Sequence, residues 1–137
     1  MPVELRRKLQ AKYADADFIA GISAGQASAT PSPEDIFLQN VAGHVLKRLD
    51  DLSFGNEELS LKMAMSESQL NRKVKAISGR TLSLFIRGIR LQQAKALLET
   101  TSMNISEVAY SVGYSDPAYF SRTFSEEFGV PPTNIRK

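Results

Sequence analysis

Apolar residues recur along this chain at intervals of three and four, and no stretch alternates apolar with polar residues as a half-buried strand does. The pattern predicts an all-α fold. Val3, Leu5, Leu9 and Tyr13, set between Arg6, Arg7, Lys8 and Lys12, outline a short amphipathic helix, marginal on its own in water. From Ile19 to Thr30 the chain changes to Gly, Ala and Ser and runs into Pro31-Ser32-Pro33, which reads as a flexible linker. Ser32, with Pro33 at the first helical position and Asp35 at the third, is a strong helix start. Ile36, Phe37, Val41, Val45, Leu46 and Leu49 carry that helix to about Asp50.

Beyond a connection at Asp51 to Gly55, a short helix over Asn56 to Met63 places Leu59 and Met63 on one side. Ala64-Met65-Ser66 turns the chain. Ser66 with Gln69 forms a capping box, opening a helix whose Leu70, Val74 and Ile77 face inward until Ser78-Gly79 stops it. A longer helix from Thr81 to about Thr100 carries Leu84, Phe85, Ile89, Leu91, Ala94, Leu97 and Leu98. It spans about 28 Å at 1.5 Å per residue, long enough to set two modules apart. Ser106 to Val112 then repeats the short helix, Gly113 supplies the turn, and Asp116 caps a further helix with Pro117 at its first position. Tyr119, Phe120, Phe124 and Phe128 bury one flank of it, Gly129 ends it, and Pro132 starts a last turn ending near Arg136.

The order of short helix, turn and second helix is thus written twice, which is what a helix-turn-helix requires. Two copies point to a reader of two neighbouring stretches of DNA. Composition narrows the classes. At 137 residues and 42% hydrophobic content the chain has room for one compact domain plus an extension, not a large two-domain enzyme. Absence of cysteine excludes disulfides, thiol catalysis and Cys-ligated zinc, and fits a reducing compartment. His44 is the only histidine and reads as a surface or packing residue, so neither a metal site nor a catalytic triad is expected. Glu57-Glu58 and Glu126-Glu127 are adjacent in sequence, diverge around a helix, and read as solvated faces. The expectation is a non-enzyme without cofactors. No apolar run approaches the roughly 20 residues of a membrane span, and the basic start lacks a signal-peptide apolar core, so a cytoplasmic chain without membrane contact is expected.

The formal charge of +2 is unevenly placed. Ser66 to Lys95 holds Arg72, Lys73, Lys75, Arg80, Arg87, Arg90 and Lys95 against Glu67 alone, whereas Ile105 to Phe128 holds Arg122 against Glu107, Asp116, Glu126 and Glu127. Attraction to phosphate is expected to concentrate in the first unit and the long helix, with Lys73, Lys75 and Arg87 among its carriers. Helix N-termini at Ser66, Thr81, Ser106 and Asp116 offer backbone N–H groups, although the Asp116 carboxylate opposes an anion.

The run from Asn104 through Phe124, Asn104-Ile105-Ser106-Glu107-Val108-Ala109-Tyr110-Ser111-Val112-Gly113-Tyr114-Ser115-Asp116-Pro117-Ala118-Tyr119-Phe120-Ser121-Arg122-Thr123-Phe124, followed by Phe128-Gly129-Val130-Pro131-Pro132, resembles the DNA-binding domain of the AraC/XylS family of bacterial transcription regulators. Phe85-Ile86-Arg87-Gly88-Ile89-Arg90-Leu91 with Ala94, Leu97 and Leu98 looks like that family's linker helix. The resemblance covers residues 32–137. It implies two homeodomain-like helix-turn-helix units, 32–80 and 101–137, joined by a linker helix over 81–100, each placing a recognition helix in successive major-groove segments. The implied partner is double-stranded DNA, an operator with two adjacent half-sites. Transcription activation, contact with RNA polymerase and a homodimer formed through regions outside this domain are further expectations. Residues 1–31 look similar to the segment that joins a receiver domain to an AraC-type domain in hybrid two-component regulators. Read from their residues alone they are equally a disordered tail with some helical tendency. The chain departs from the family pattern at Ser60, where a small apolar residue is usual, at Ala64, where Gly113 fills the corresponding turn, and at Ile135, where an aromatic is common. A positive φ at Ala64 would carry strain on the order of 1 kcal/mol.

Base readout requires side chains on the exposed N-terminal half of a recognition helix. Ser68, Asn71 and Arg72 meet that condition in the first unit, Arg72 suiting a guanine edge and Asn71 an adenine. Gln69 lies at the cap and supports the helix start or meets phosphate. Pro117, Ala118, Ser121 and Arg122 are the matching positions in the second unit. Pro117 and Ala118 offer only apolar contact, and Arg122 has the strongest claim there, with an ion pair to Glu107 or Glu126 as its alternative. A helical protein-interaction module using the acidic second unit and a non-specific architectural DNA binder are the competing functions. Given the charge asymmetry, Arg72→Ala should weaken operator binding more than Arg122→Ala. Mobility-shift titrations at fixed salt check this, and equal losses or the reverse order would refute it.

Overall fold

The computed structural model describes residues 32–51 and 53–135. The expected helix and linker of residues 1–31, and the end of the last turn at Arg136, lie outside them. Among the described residues there are helices and no strands. These are α1 Pro33–Lys47, α2 Asn56–Lys62, α3 Glu67–Ser78, α4 Leu82–Thr100, α5 Ile105–Ser111, α6 Pro117–Phe128 and α7 Pro132–Ile135.

Local chemistry sets most boundaries. The Asp35 N–H donates to Ser32 Oγ and the Ser32 N–H donates back to the Asp35 carboxylate, with Pro33 opening α1. The helix stops at Lys47, short of the expected Asp50. Asp51 accounts for this: its carboxylate accepts from the Ser53 N–H at 2.9 Å, the Ser53 hydroxyl at 2.7 Å and the Arg48 guanidinium, a local turn that competes with further helix. Those donors hold the Asp51 carboxyl at about 2, below the usual carboxylate range. On α1 the buried stripe is Phe37, Leu38, Val41, Ala42 and Val45, while Ile36 is 46% exposed.

The two helix-turn-helix units repeat at the level of single hydrogen bonds. Met65 N–H donates to Ser60 O at 3.0 Å and Ala64 N–H to Leu61 O at 3.2 Å. Their counterparts are Tyr114 N–H to Ala109 O at 2.9 Å and Gly113 N–H to Tyr110 O at 3.2 Å. Each turn hinges on a residue with positive φ, Ala64 at 56° and Gly113 at 90°. The turns then differ in length. In the first, Ser66 caps α3 directly after Met65, whereas in the second Ser115 intervenes between Tyr114 and the cap Asp116. Ser66 and Gln69 form the expected capping box, Asp116 accepts from the Ala118 N–H, and Gly79 and Gly129 end α3 and α6 in left-handed conformations. The cap of α5 is Asn104 rather than the expected Ser106: Asn104 Oδ1 accepts from the Glu107 N–H at 2.8 Å, and Glu107 returns the bond.

Helix α4 is shared by two cores. Its Leu82, Phe85, Ile86 and Ile89 complete a cluster with Leu38, Val41, Leu59, Leu70 and Val74, while its Leu91, Ala94 and Leu98 complete another with Val108, Val112, Phe120 and Phe124. Leu49 packs against both. The expectation that α4 holds the modules apart is corrected here, because they meet across Arg90. This 8%-exposed side chain donates from Nη1 to Leu49 O and to Val112 O at 2.9 Å, and from Nη2 to Phe54 O at 3.0 Å. Burial pulls its pKa below the ordinary value, but a guanidinium stays charged, and the carbonyls solvate it. Gly113 fits beside it because a Cβ there would collide with the guanidinium and lie 2.6 Å from Leu49 O.

The two turn residues should therefore respond oppositely to substitution. Ala64→Gly relieves a left-handed alanine and should stabilise by about 0.5–1 kcal/mol, net of the added freedom of the unfolded chain. Gly113→Ala should destabilise by about 3 kcal/mol or more, since the guanidinium or the loop must give way. Thermal unfolding followed by far-ultraviolet circular dichroism reads both signs.

Candidate nucleic-acid interface

Helices α3 and α6 occupy the recognition positions, and their side chains run in one register from the caps Ser66 and Asp116. Leu70 and Val74 are buried in α3 as Phe120 and Phe124 are in α6, which turns Ser68 and Arg72 outward on one and Ala118 and Arg122 outward on the other. Ser68, Arg72 and Lys75 are exposed, and among the described residues no ion pair or ring contact holds Arg72 or Lys75. An open groove of about 550 Å³, lined by Met65, Gln69, Arg72, Lys73 and Ala76, runs beside this face.

Several sequence-predicted site residues have other occupations. Asn71 Oδ1 accepts from the Leu82 N–H at 2.8 Å, so the group that would receive a hydrogen bond from adenine instead caps α4. Thr81 Oγ1 accepts from Leu84 N–H at the same helix end, and Ser66 and Gln69 are engaged in their box. The Lys73 ammonium lies 4.2 Å from the centroid of the Phe37 ring.

The cationic tract of the first unit and α4 is largely consumed inside the protein. Arg80 pairs with Glu127 at 2.9 Å, Arg87 with Glu126 at 3.3 Å, Arg90 with three backbone carbonyls, and Lys95 with the Phe128 ring at 5.3 Å. Arg87 Nε is also buried with no hydrogen-bond partner among the described residues. Glu127, its side chain 4% exposed against Arg80, is thus not the solvated face that its adjacency to Glu126 suggested, while Glu126 stays 62% exposed beside Arg87. The two project into neighbouring arginines because α6 packs back on α4. Of the seven basic residues counted from the sequence, Arg72 and Lys75 keep exposed charges with no partner among the described residues.

On α6, Pro117 and Ser121 are half-buried while Ala118 and Arg122 are exposed. The expected alternative for Arg122 does not form: Glu107 closes a capping box, Glu126 meets Arg87, and the Arg122 guanidinium lies 5.7 Å from the Tyr119 ring centroid. Tyr119, expected in the core, is 50% exposed and adds a phenol to this face. The signal was present in the spacing: Tyr119 stands three residues before Arg122, on the outer flank of the Phe120–Phe124 stripe. Tyr114 is the aromatic that fills the core instead, accepting from the Thr123 hydroxyl at 3.3 Å, and burial pushes its pKa up. His44 sits half-buried in the last turn of α1.

A family model described as a helix-turn-helix domain matches residues 59–137, both turns and both recognition helices included. The chain belongs to the AraC-type helix-turn-helix family. The transcriptional activator RhaS of Mannheimia succiniciproducens is 28% identical over 155 residues, covering 97% of this chain and 58% of its own length. Histidine kinase P4 of Formosa agariphila is 31% identical over 142 residues, covering 98% of this chain. The chain spans only 10% of that kinase's length. Among solved structures, the C-terminal domain of AraT, a response regulator from Geobacillus stearothermophilus, superimposes with a TM-score of 0.67 at 27% identity, covering 79% of this chain and 87% of its own. The DNA-binding domain of AdpA, solved with a target DNA, gives 0.65 at 27% identity, covering 72% and 88%. The family is one of DNA-binding transcription regulators, not enzymes, and no described helix is long and apolar enough to cross a membrane.

The capping role of Asn71 yields a direct test. Asn71→Ala should lower stability by about 1 kcal/mol, the worth of one helix-capping hydrogen bond, and leave the preferred bases unchanged. A relaxed preference at one base position with an unchanged unfolding midpoint would return Asn71 to the readers.

Proposed function

We propose that this chain binds double-stranded DNA sequence-specifically in transcription regulation, inserting α3 and α6 into successive major-groove segments of an operator with two half-sites. One observation carries the reading: two recognition helices stand in the same register on a shared helix, with Arg72 and Arg122 exposed at matching positions. Membership of the AraC-type family and likeness to a domain solved on its target DNA support it.

In the first unit Arg72 reads a guanine edge, Ser68 an adjacent base and Lys75 a phosphate. In the second, Arg122 is the principal polar reader, Tyr119 adds a hydroxyl and Ala118 offers apolar contact to a thymine methyl. Ser66, Gln69, Thr81 and Asn71 act through the backbone geometry of the helix ends, with free N–H groups of α3 and α4 near phosphate. Transcription activation, contact with RNA polymerase and dimerisation are assigned to the whole regulator in the cytoplasm, of which this chain is the DNA-reading part. Two-component control is consistent with the response-regulator origin of the AraT domain. A purely protein-binding role through an acidic second unit is less supported, because Glu126 and Glu127 are engaged with Arg87 and Arg80.

Selection of bound sequences from a random duplex pool tests the reading. The expected product is a pair of unequal half-sites about one helical turn apart, with affinity falling steeply as salt rises. Failure to enrich any sequence, or equal affinity for selected and random duplexes, would leave an architectural binder or a protein-interaction module.

A further inference from the structure

The recognition helices belong to different cores, α3 to the cluster around Leu70 and Val74 and α6 to the cluster around Phe120 and Phe124. A direct polar tie joins their ends. Arg80 follows Gly79, the left-handed residue that closes α3, and Glu127 lies in the last turn of α6. Arg80 Nη1 reaches both carboxylate oxygens of Glu127, at 2.9 and 3.3 Å, and the side chains are only 18% and 4% exposed. The neighbouring Arg87–Glu126 pair makes a single contact at 3.3 Å with Glu126 62% exposed, where water and salt weaken it. A charge pair withdrawn from water gains little stability over an apolar pair of the same volume, because desolvation offsets attraction. Its directional bonds nevertheless disfavour other arrangements of the groups it joins.

Resting on the reading of α3 and α6 as DNA readers, we propose that Arg80 and Glu127 are positioning residues that fix the separation and angle of the two recognition helices and so set the half-site spacing the protein accepts. Each added base pair displaces the second half-site by about 3.4 Å and about a tenth of a turn. A rigidly tied pair of helices cannot follow both changes. Loosening the tie leaves each helix able to read its own half-site while the penalty for altered spacing shrinks.

The test uses the full chain and a duplex from the selected pool, with the spacer lengthened or shortened by one base pair. The native protein should lose about tenfold or more in affinity on either altered spacer. The double variant Arg80→Met/Glu127→Leu, which removes both charges and keeps their volume, should lose less than about threefold while preferring the same bases within each half-site. The charge swap Arg80→Glu/Glu127→Arg should recover at least half of the native discrimination on a logarithmic scale. Native-like spacing discrimination in the folded double variant, or no recovery in the swap, would overturn the proposal. Should the double variant fail to give a helical circular-dichroism spectrum, Glu127→Gln is read against the same thresholds. If the native chain binds selected and random duplexes alike, the DNA reading itself falls and the positioning role with it.

Discussion

Three backbone carbonyls converge on the buried guanidinium of Arg90, and the docking of the loop after α1 and of the end of α5 on the shared helix depends on that convergence. Leu49 O and Phe54 O come from the loop after α1, Val112 O from the end of α5, and Arg90 itself from the middle of the helix both cores share. Carbonyls at a chain turn or a helix end need donors, and a buried guanidinium needs acceptors, so each satisfies the other where water is excluded. Asp51 contributes by folding the loop through Ser53 and Arg48, which presents the first two carbonyls.

This convergence also explains why the two turns, alike in their hydrogen bonds, hold different residues. Gly113 answers two demands, a left-handed backbone and a guanidinium where a Cβ would stand. Ala64 has the same sign of φ, but its exposed turn lacks the Arg90 contact, so only conformational strain remains, and a methyl group is tolerated. Glycine at that turn position is thus a steric requirement in the second unit and a preference in the first.

Charge is where counting and structure diverge most. Counted along the chain, the first unit and α4 form a basic tract facing an acidic second unit; in the fold two of its seven cations are paired across the units, Arg80 with Glu127 and Arg87 with Glu126. The acidic α6 end becomes part of the scaffold, and the exposed cations of the two recognition helices without an ion pair among the described residues are Arg72, Lys73 and Lys75 on α3 and Arg122 on α6. The outward side chains of the two recognition helices are accordingly unequal, Ser68 and Arg72 on α3 against Ala118, Tyr119 and Arg122 on α6.

What the sequence by itself determined is the part of the structure governed by neighbours within one helical turn. Ser32, Ser66 and Asp116 start helices, Gly79 and Gly129 end them, and the spacing of Leu70 with Val74 and Phe120 with Phe124 sets which face is buried, because caps, left-handed residues and amphipathic stripes act over three or four positions. The family's motif added the pairing of the units. Tertiary structure alone decided the partners of long polar side chains: Asn71 on Leu82, Lys73 on Phe37, Arg80 on Glu127, and Arg90 on carbonyls from both units. Those side chains reach across elements far apart in sequence, and no periodicity encodes which one they meet. Asn71 Oδ1 is thereby engaged at the start of α4, and Tyr119 lies outside the core because Tyr114 already fills the space beside Phe120 and Thr123.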